Sequence, residues 1–228
     1  MRSRAATLAL VLVLLLALPG GTTAASGSGL LFAAIPCAET PLGRSWEALR
    51  DEAARRFPTL ALTEVEDLHL TLVYVGVWRP DDLEPLRELT RLLPGEAVTL
   101  TPEVAAFGVR AEAVVIELLG APPAWKEAVV AAQADLVRRE LKAPDRWDGS
   151  FRPHVTLALA RHRPPTGTDR RALRAFEAWL ARKIAADPSR FTVPVGPDSP
   201  AALWQTRASR VPGTPAFAAV EAPETAAP

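Results

Sequence analysis

Two short segments of this chain, Leu68-His69-Leu70-Thr71-Leu72 and Pro153-His154-Val155-Thr156-Leu157, repeat one pattern and hold two of its 3 histidines. Their alternation of apolar and polar residues is that of a half-buried strand. Successive side chains of an extended chain point to opposite faces, so His69, Thr71 and Val73 are expected on one side and Leu68, Leu70, Leu72 and Tyr74 on the other. The same parity sets His154, Thr156 and Ala158 against Val155, Leu157 and Leu159. Each strand therefore has an apolar back that seals a core and a reactive front that lines a cleft. One such histidine is ordinarily just a half-buried or solvated side chain, but its recurrence in so histidine-poor a chain argues for a working pair.

The segments around these strands alternate between the two regular periods. Leu30 to Ile35 is a short apolar run stopped by Pro36, the pattern of a buried strand. Thr40-Pro41 offers an N-cap with proline at the first helical position, and an amphipathic stretch then runs to Phe57-Pro58. A strand at 60–63 leads into the first histidine strand, 68–75, and a helix is expected from Pro80 to about Leu93. Strands at 97–107 and 111–119, a helix from Pro122 to about Leu141, the second histidine strand at 153–160 and a helix from Asp169 to Ala185 follow. Strands at 191–195, 202–206 and 216–220 complete the order. Two related blocks, each with one histidine strand, predict a duplicated α+β fold of two lobes. In it two antiparallel sheets face each other across a central groove, with helices on the outside. Residues 30–220 form this domain.

Composition limits what the groove can serve. The 228 residues are 49% hydrophobic, enough for one sizeable core. With 26 basic and 26 acidic side chains, no basic stripe is available to follow a duplex, and a small or end-recognised phosphate ligand fits better. Arg2 and Arg4, an apolar run from Ala5 to Leu18 and small residues to Ala25 have the layout of a secretory signal peptide, with cleavage expected after Ala24. Removal of residues 1–24 leaves 24 basic against 26 acidic side chains and a short linker at 25–29. A secreted or periplasmic location follows, without stable membrane association once the leader is gone; an uncleaved membrane anchor is the alternative. The lone Cys37 reads as a structural thiol, and the Ala/Pro-rich tail at 221–228 has nothing to bury.

With the flanks Leu31-Phe32-Ala33-Ala34-Ile35, Asp67-Leu68-His69 and Phe151-Arg152-Pro153-His154, the paired motifs resemble the two-histidine (2H) phosphoesterase superfamily. Within it they are most similar to the LigT-type branch, RNA 2′,3′-cyclic phosphodiesterases also called 2′,5′ RNA ligases. The likeness runs from Leu30 to about Val220. Opening a cyclic phosphodiester needs a base that takes a proton from water and an acid that gives one to the departing ribose oxygen, tasks suited to imidazoles titrating near neutrality. Spacing leaves open which histidine is which; the resemblance implies His69 as acid, His154 as base and a 2′-phosphate product. Thr71 and Thr156 are expected to donate hydroxyl hydrogen bonds to the non-bridging phosphate oxygens. Relatives commonly carry a basic residue five positions past the second histidine, where this chain has Leu159, with Arg161 two residues on as a candidate phosphate ligand. Phe151 and Trp147 are candidates for stacking a base, Tyr74 is expected to pack inward with the leucines, and His162 is read as a surface residue.

No metal or other cofactor is expected, since no HExxH or Cys/His cluster supplies a third ligand. Neither a Gly-rich phosphate loop nor a GxSxG nucleophile turn is present. The expected partners are short RNA ends or small cyclic nucleotides, met by a monomer. Competing readings are a phosphodiesterase on another small cyclic or 2′,5′-linked nucleotide, ligase activity included, and a secreted nucleotide-binding module without turnover.

Overall fold

A computed structural model describes residues 29–108, 112–145, 148–207 and 216–220. The leader at 1–24, the tail at 221–228 and Trp147 lie outside the described residues.

Among the described residues, nine strands form one curled antiparallel sheet. The strands β1 (Leu31–Pro36), β2 (Leu60–Leu62), β3 (His69–Gly76), β4 (Val98–Phe107), β5 (Ala113–Leu119), β6 (His154–Ala160), β7 (Val193–Val195), β8 (Ala202–Thr206) and β9 (Phe217–Ala219) follow in chain order. In space the order is β7-β4-β5-β6-β3-β1-β8-β9, with β2 paired to β6. The path divides at its middle into two related halves, β3-β1-β8-β9 and β6-β5-β4-β7, the two expected lobes. They meet through one residue pair, Leu70 opposite Val155. Beyond it β3 leaves the edge of β6, and β2 takes that edge over, pairing Leu62 with Ala158 and Leu60 with Ala160.

Both histidine strands break the simple alternation at the same place. Ala33 and Ala34 of β1 face Val73 and Thr71, so Leu72 is the extra residue of a β-bulge. Val114 and Val115 of β5 likewise face Ala158 and Thr156, which makes Leu157 the extra residue of β6. Leu72 with Val73, and Leu157 with Ala158, are therefore all buried on the back. This corrects the expected parity beyond the threonines: Val73 and Ala158 belong to the core, while Tyr74, 40% exposed, and Leu159 return to the front.

Four helices among the described residues cover the back. The first, α1 (Pro41–Arg56), starts as expected, with the Thr40 hydroxyl accepting from the Gly43 N–H. A short α2 (Leu83–Arg87) lies between two 3₁₀ turns, Pro80–Asp82 and Glu88–Arg91, in place of the single helix expected to Leu93. Pro85, which has no N–H, prevents a regular helix from running through this stretch. The third, α3 (Pro123–Arg138), packs on β3, and α4 (Gly167–Ala186) packs on β4, β5 and β6. A Thr166/Asp169 capping box starts α4 two residues earlier than the sequence suggested. Between α1 and α4 lies an aromatic cluster in which Phe176 meets Trp46 and Phe57 edge-on at 6.0 and 5.3 Å. Cys37 is fully buried, and burial pushes its thiol up to about 12, as befits an inert packing group.

Candidate active site

The register at the seam assembles the front face. With Leu70 opposite Val155, the next residues on either side set His69 across from Thr156 and Thr71 across from His154. The four polar side chains thus form a parallelogram about a pseudo-twofold axis. Its histidines occupy diagonal positions, which on adjacent strands are about 7–8 Å apart. All four are partly exposed. Neither threonine hydroxyl has a hydrogen-bond partner among the described residues, so both are free to donate to a ligand.

Each imidazole is oriented in the same way. Nδ1 of His69 lies 2.7 Å from the carbonyl oxygen of Asp67, and Nδ1 of His154 lies 2.7 Å from that of Arg152. A carbonyl only accepts, so in both rings Nδ1 carries a proton and donates it, and Nε2 is left to exchange protons in the groove. The residue two positions before each histidine therefore selects the tautomer.

Aromatic rings enclose both imidazoles. His69 has Phe32 of β1 at 4.9 Å, Trp204 of β8 at 5.7 Å and Phe217 of β9 at 5.0 Å between ring centroids. His154 stacks on Phe107 of β4 at 4.3 Å and 28°. Burial among these groups holds both imidazoles below their ordinary range, partly offset by the hydrogen bond at Nδ1. The charge of each neighbour adds a smaller effect: His154 lowers His69 further while Asp67 raises it, and Arg152 lowers His154 while Glu117 raises it. Glu117 lies directly across β5 from His154 and forms an ion pair with Arg152, Nε to Oε1 being 3.1 Å.

The remaining candidates fall elsewhere. Phe151 is buried edge-on against Trp125 of α3, with centroids 5.3 Å apart, so it offers no open face for a base and leaves the candidate site. Arg161 lies at the far end of β6 and donates from Nε to the Leu60 carbonyl at 3.2 Å, beside Ala61, Leu159 and Arg163. Tyr74 instead is 40% exposed, set opposite Phe32 by the bulge at Leu72. The His162 ring is largely exposed, with Nδ1 3.0 Å from Asp169 Oδ2. Sequence reasoning did not find the rings of Phe32, Trp204, Phe217 and Phe107. Their phase is readable only once the strands that carry them are paired.

A family model described as the 2′-5′ RNA ligase superfamily matches residues 38–194, more than half of the chain and spanning both histidine strands. The chain belongs to the 2′-5′ RNA ligase superfamily, the two-histidine phosphoesterases. Solved structures share this superfamily member's fold. A crystal structure titled as a phosphoesterase superposes with a TM-score of 0.55 at 19% identity, covering 85% of this chain and 95% of that one. E. coli LigT complexed with 3′-AMP gives the same TM-score, identity and coverage. The protein TT0787 of Thermus thermophilus gives 0.53 at 19% identity over 84% and 95%. No curated protein matches the chain.

Proposed function

We infer that this superfamily member is a phosphodiesterase that opens 2′,3′-cyclic phosphates of RNA ends or nucleotides to 2′-phosphates. The observation that carries the reading is the pair of Nδ1-anchored imidazoles on strands joined at Leu70 and Val155, each left with Nε2 as the nitrogen that exchanges protons. A phosphate held between them meets a proton acceptor on one side and a proton donor on the other. In the proposed reaction His154 takes a proton from water as the water oxygen bonds to phosphorus. The bond from phosphorus to the 3′ oxygen breaks, and His69 delivers its proton to that oxygen. Thr71 and Thr156 donate to the non-bridging oxygens, where charge accumulates. The exposed ring of Tyr74 and the aromatic wall around His69 offer faces for a base. The binding of 3′-AMP by LigT accords with a small nucleotide in such a groove. Residues 1–24 support action outside the cytoplasm.

The test is hydrolysis of 2′,3′-cyclic nucleotides by the purified chain, with and without EDTA. Turnover is expected to survive the chelator and to yield the 2′-phosphate. His69→Ala and His154→Ala are each expected to lower kcat by at least about 100-fold. Tight binding without turnover would mark a binding module, turnover only of 2′,5′-linked substrates would give the site to that chemistry, and loss with EDTA would overturn the metal-independent mechanism.

A further inference from the structure

Asp67 is one of the few buried charged residues among those described, 4% exposed, and the proton transfer described above does not use its side chain. Its carboxylate accepts two backbone N–H groups at the start of the last strand of the path: Ala216, just before it, at 2.7 Å on Oδ2 and Phe217 at 3.3 Å on Oδ1. Ala216 immediately precedes β9 and Phe217 begins it, with its ring edge-on to His69. Meanwhile the carbonyl of Asp67 holds Nδ1 of the same histidine. One residue thus grips the imidazole with its main chain and the wall around that imidazole with its side chain.

The second motif repeats the device with other chemistry. Arg152 holds His154 through its carbonyl, and its guanidinium lies 5.9 Å from the centroid of the Phe107 ring, which stacks on His154. Asp67 and Arg152 each stand two residues before a histidine, on opposite sides of the pseudo-twofold axis. At both motifs the residue whose carbonyl holds Nδ1 also sends its side chain to the aromatic wall of that histidine, to the backbone of Phe217 in one and to the ring of Phe107 in the other.

We propose that Asp67 is a positioning residue that clamps β9 over the groove, so that Phe217 closes the aromatic wall of His69 and keeps water from that imidazole. The clamp rests on the proposed function only for its catalytic meaning. The charged groups acting on His69 are Asp67 on its own chain and His154 from β6, while β1, β8 and β9 present uncharged rings. Burial is the largest influence on His69 and the Asp67 charge the smallest. A clamp and a simple counter-charge therefore predict opposite signs. In Asp67→Asn the amide oxygen accepts one N–H while the NH₂ group faces the other, which loosens β9. Water then reaches His69 and its proton affinity rises, whereas loss of a counter-charge alone lowers it.

The experiment is NMR titration of the three imidazoles of the full chain without substrate, each assigned by its own His→Gln variant, together with amide exchange at Ala216 and Phe217. In Asp67→Asn the His69 midpoint is expected to move up by roughly half a pH unit or more, with faster exchange at both amides. Phe217→Leu, which keeps the carboxylate and removes the ring, is expected to raise His69 in the same direction. Should Asp67→Asn fail to fold, Asp67→Glu keeps the charge but misplaces it by one methylene, and the same upward movement is expected. A downward or absent shift in the folded variant, or an unmoved His69 in Phe217→Leu, overturns the clamp. Because no substrate is used, these readings stand or fall separately from hydrolysis of cyclic phosphates.

Discussion

His69 and His154 each keep a proton on Nδ1 through a carbonyl two residues upstream, so their chemistry is confined to Nε2. Burial holds both below the ordinary imidazole range, near 6.5. In the free protein at pH 7 both are therefore mostly neutral, a state ready for a base and unready for an acid. The profile of kcat/KM against pH is expected to peak on the acidic side of neutrality, falling on the alkaline side as the acid imidazole loses its proton and on the acidic side as the base gains one. The same shifts act on stability. A histidine whose folded pKa is depressed contributes stability that is present above its unfolded pKa and lost as pH falls through the folded one. Melting temperature is therefore expected to drop below about pH 6.5, and less so in the double variant His69→Gln/His154→Gln. An equal drop in both proteins would show that other groups govern acid unfolding. At this scale the histidines and threonines were legible because their spacing repeats. The rings that desolvate them were not, since Trp204 and Phe217 stand far along the chain from His69 and declare nothing until β8 and β9 pair.

Elements follow local rules wherever a cap or proline states them. Thr40 with Pro41 and the Thr166/Asp169 box begin α1 and α4 as side-chain chemistry requires. The first turn of α1 is also pressed against the preceding backbone: a Cβ on Gly43 would stand 2.0 Å from the Ala38 carbonyl oxygen and 2.2 Å from that of Cys37. Backbone cannot swing aside as a side chain can, so Gly43→Ala is expected to cost about 1–3 kcal/mol of stability, read from urea midpoints. A neutral or stabilising effect would mean that α1 slides freely along its groove. The two bulges are the feature of this scale that period counting missed. Leu72 and Leu157 look like ordinary back-face residues, and only the partner strands reveal that the phase has changed: β1 passes over Leu72, and over Val75 further on, and β5 passes over Leu157.

For the whole molecule the decisive feature is the seam. The halves share one residue pair, Leu70 with Val155, both fully buried, and the buried residues of both lobes belong to one hydrophobic core. Helix α3 follows β5 of one half yet packs on β3 of the other. Neither lobe keeps a closed core alone. Unfolding is therefore expected to be a single transition, with tryptophan fluorescence and far-UV circular dichroism giving coincident curves. Leu70→Ala is expected to lower stability by about 2–5 kcal/mol while keeping those curves together; two separated transitions would show lobes that fold independently. The duplication itself was readable in the residues, because a repeated motif on strands with one apolar face leaves few other ways to bury that face. So were most elements, the Thr40 cap of α1 and the repeated histidine and threonine spacing, all consequences of interactions between near neighbours. The seam register, the matched bulges, the aromatic walls and the Asp67 grip on β9 join residues distant in the chain. Such contacts depend on which strand edges meet, and backbone hydrogen bonding makes that choice among many partners that local sequence cannot tell apart.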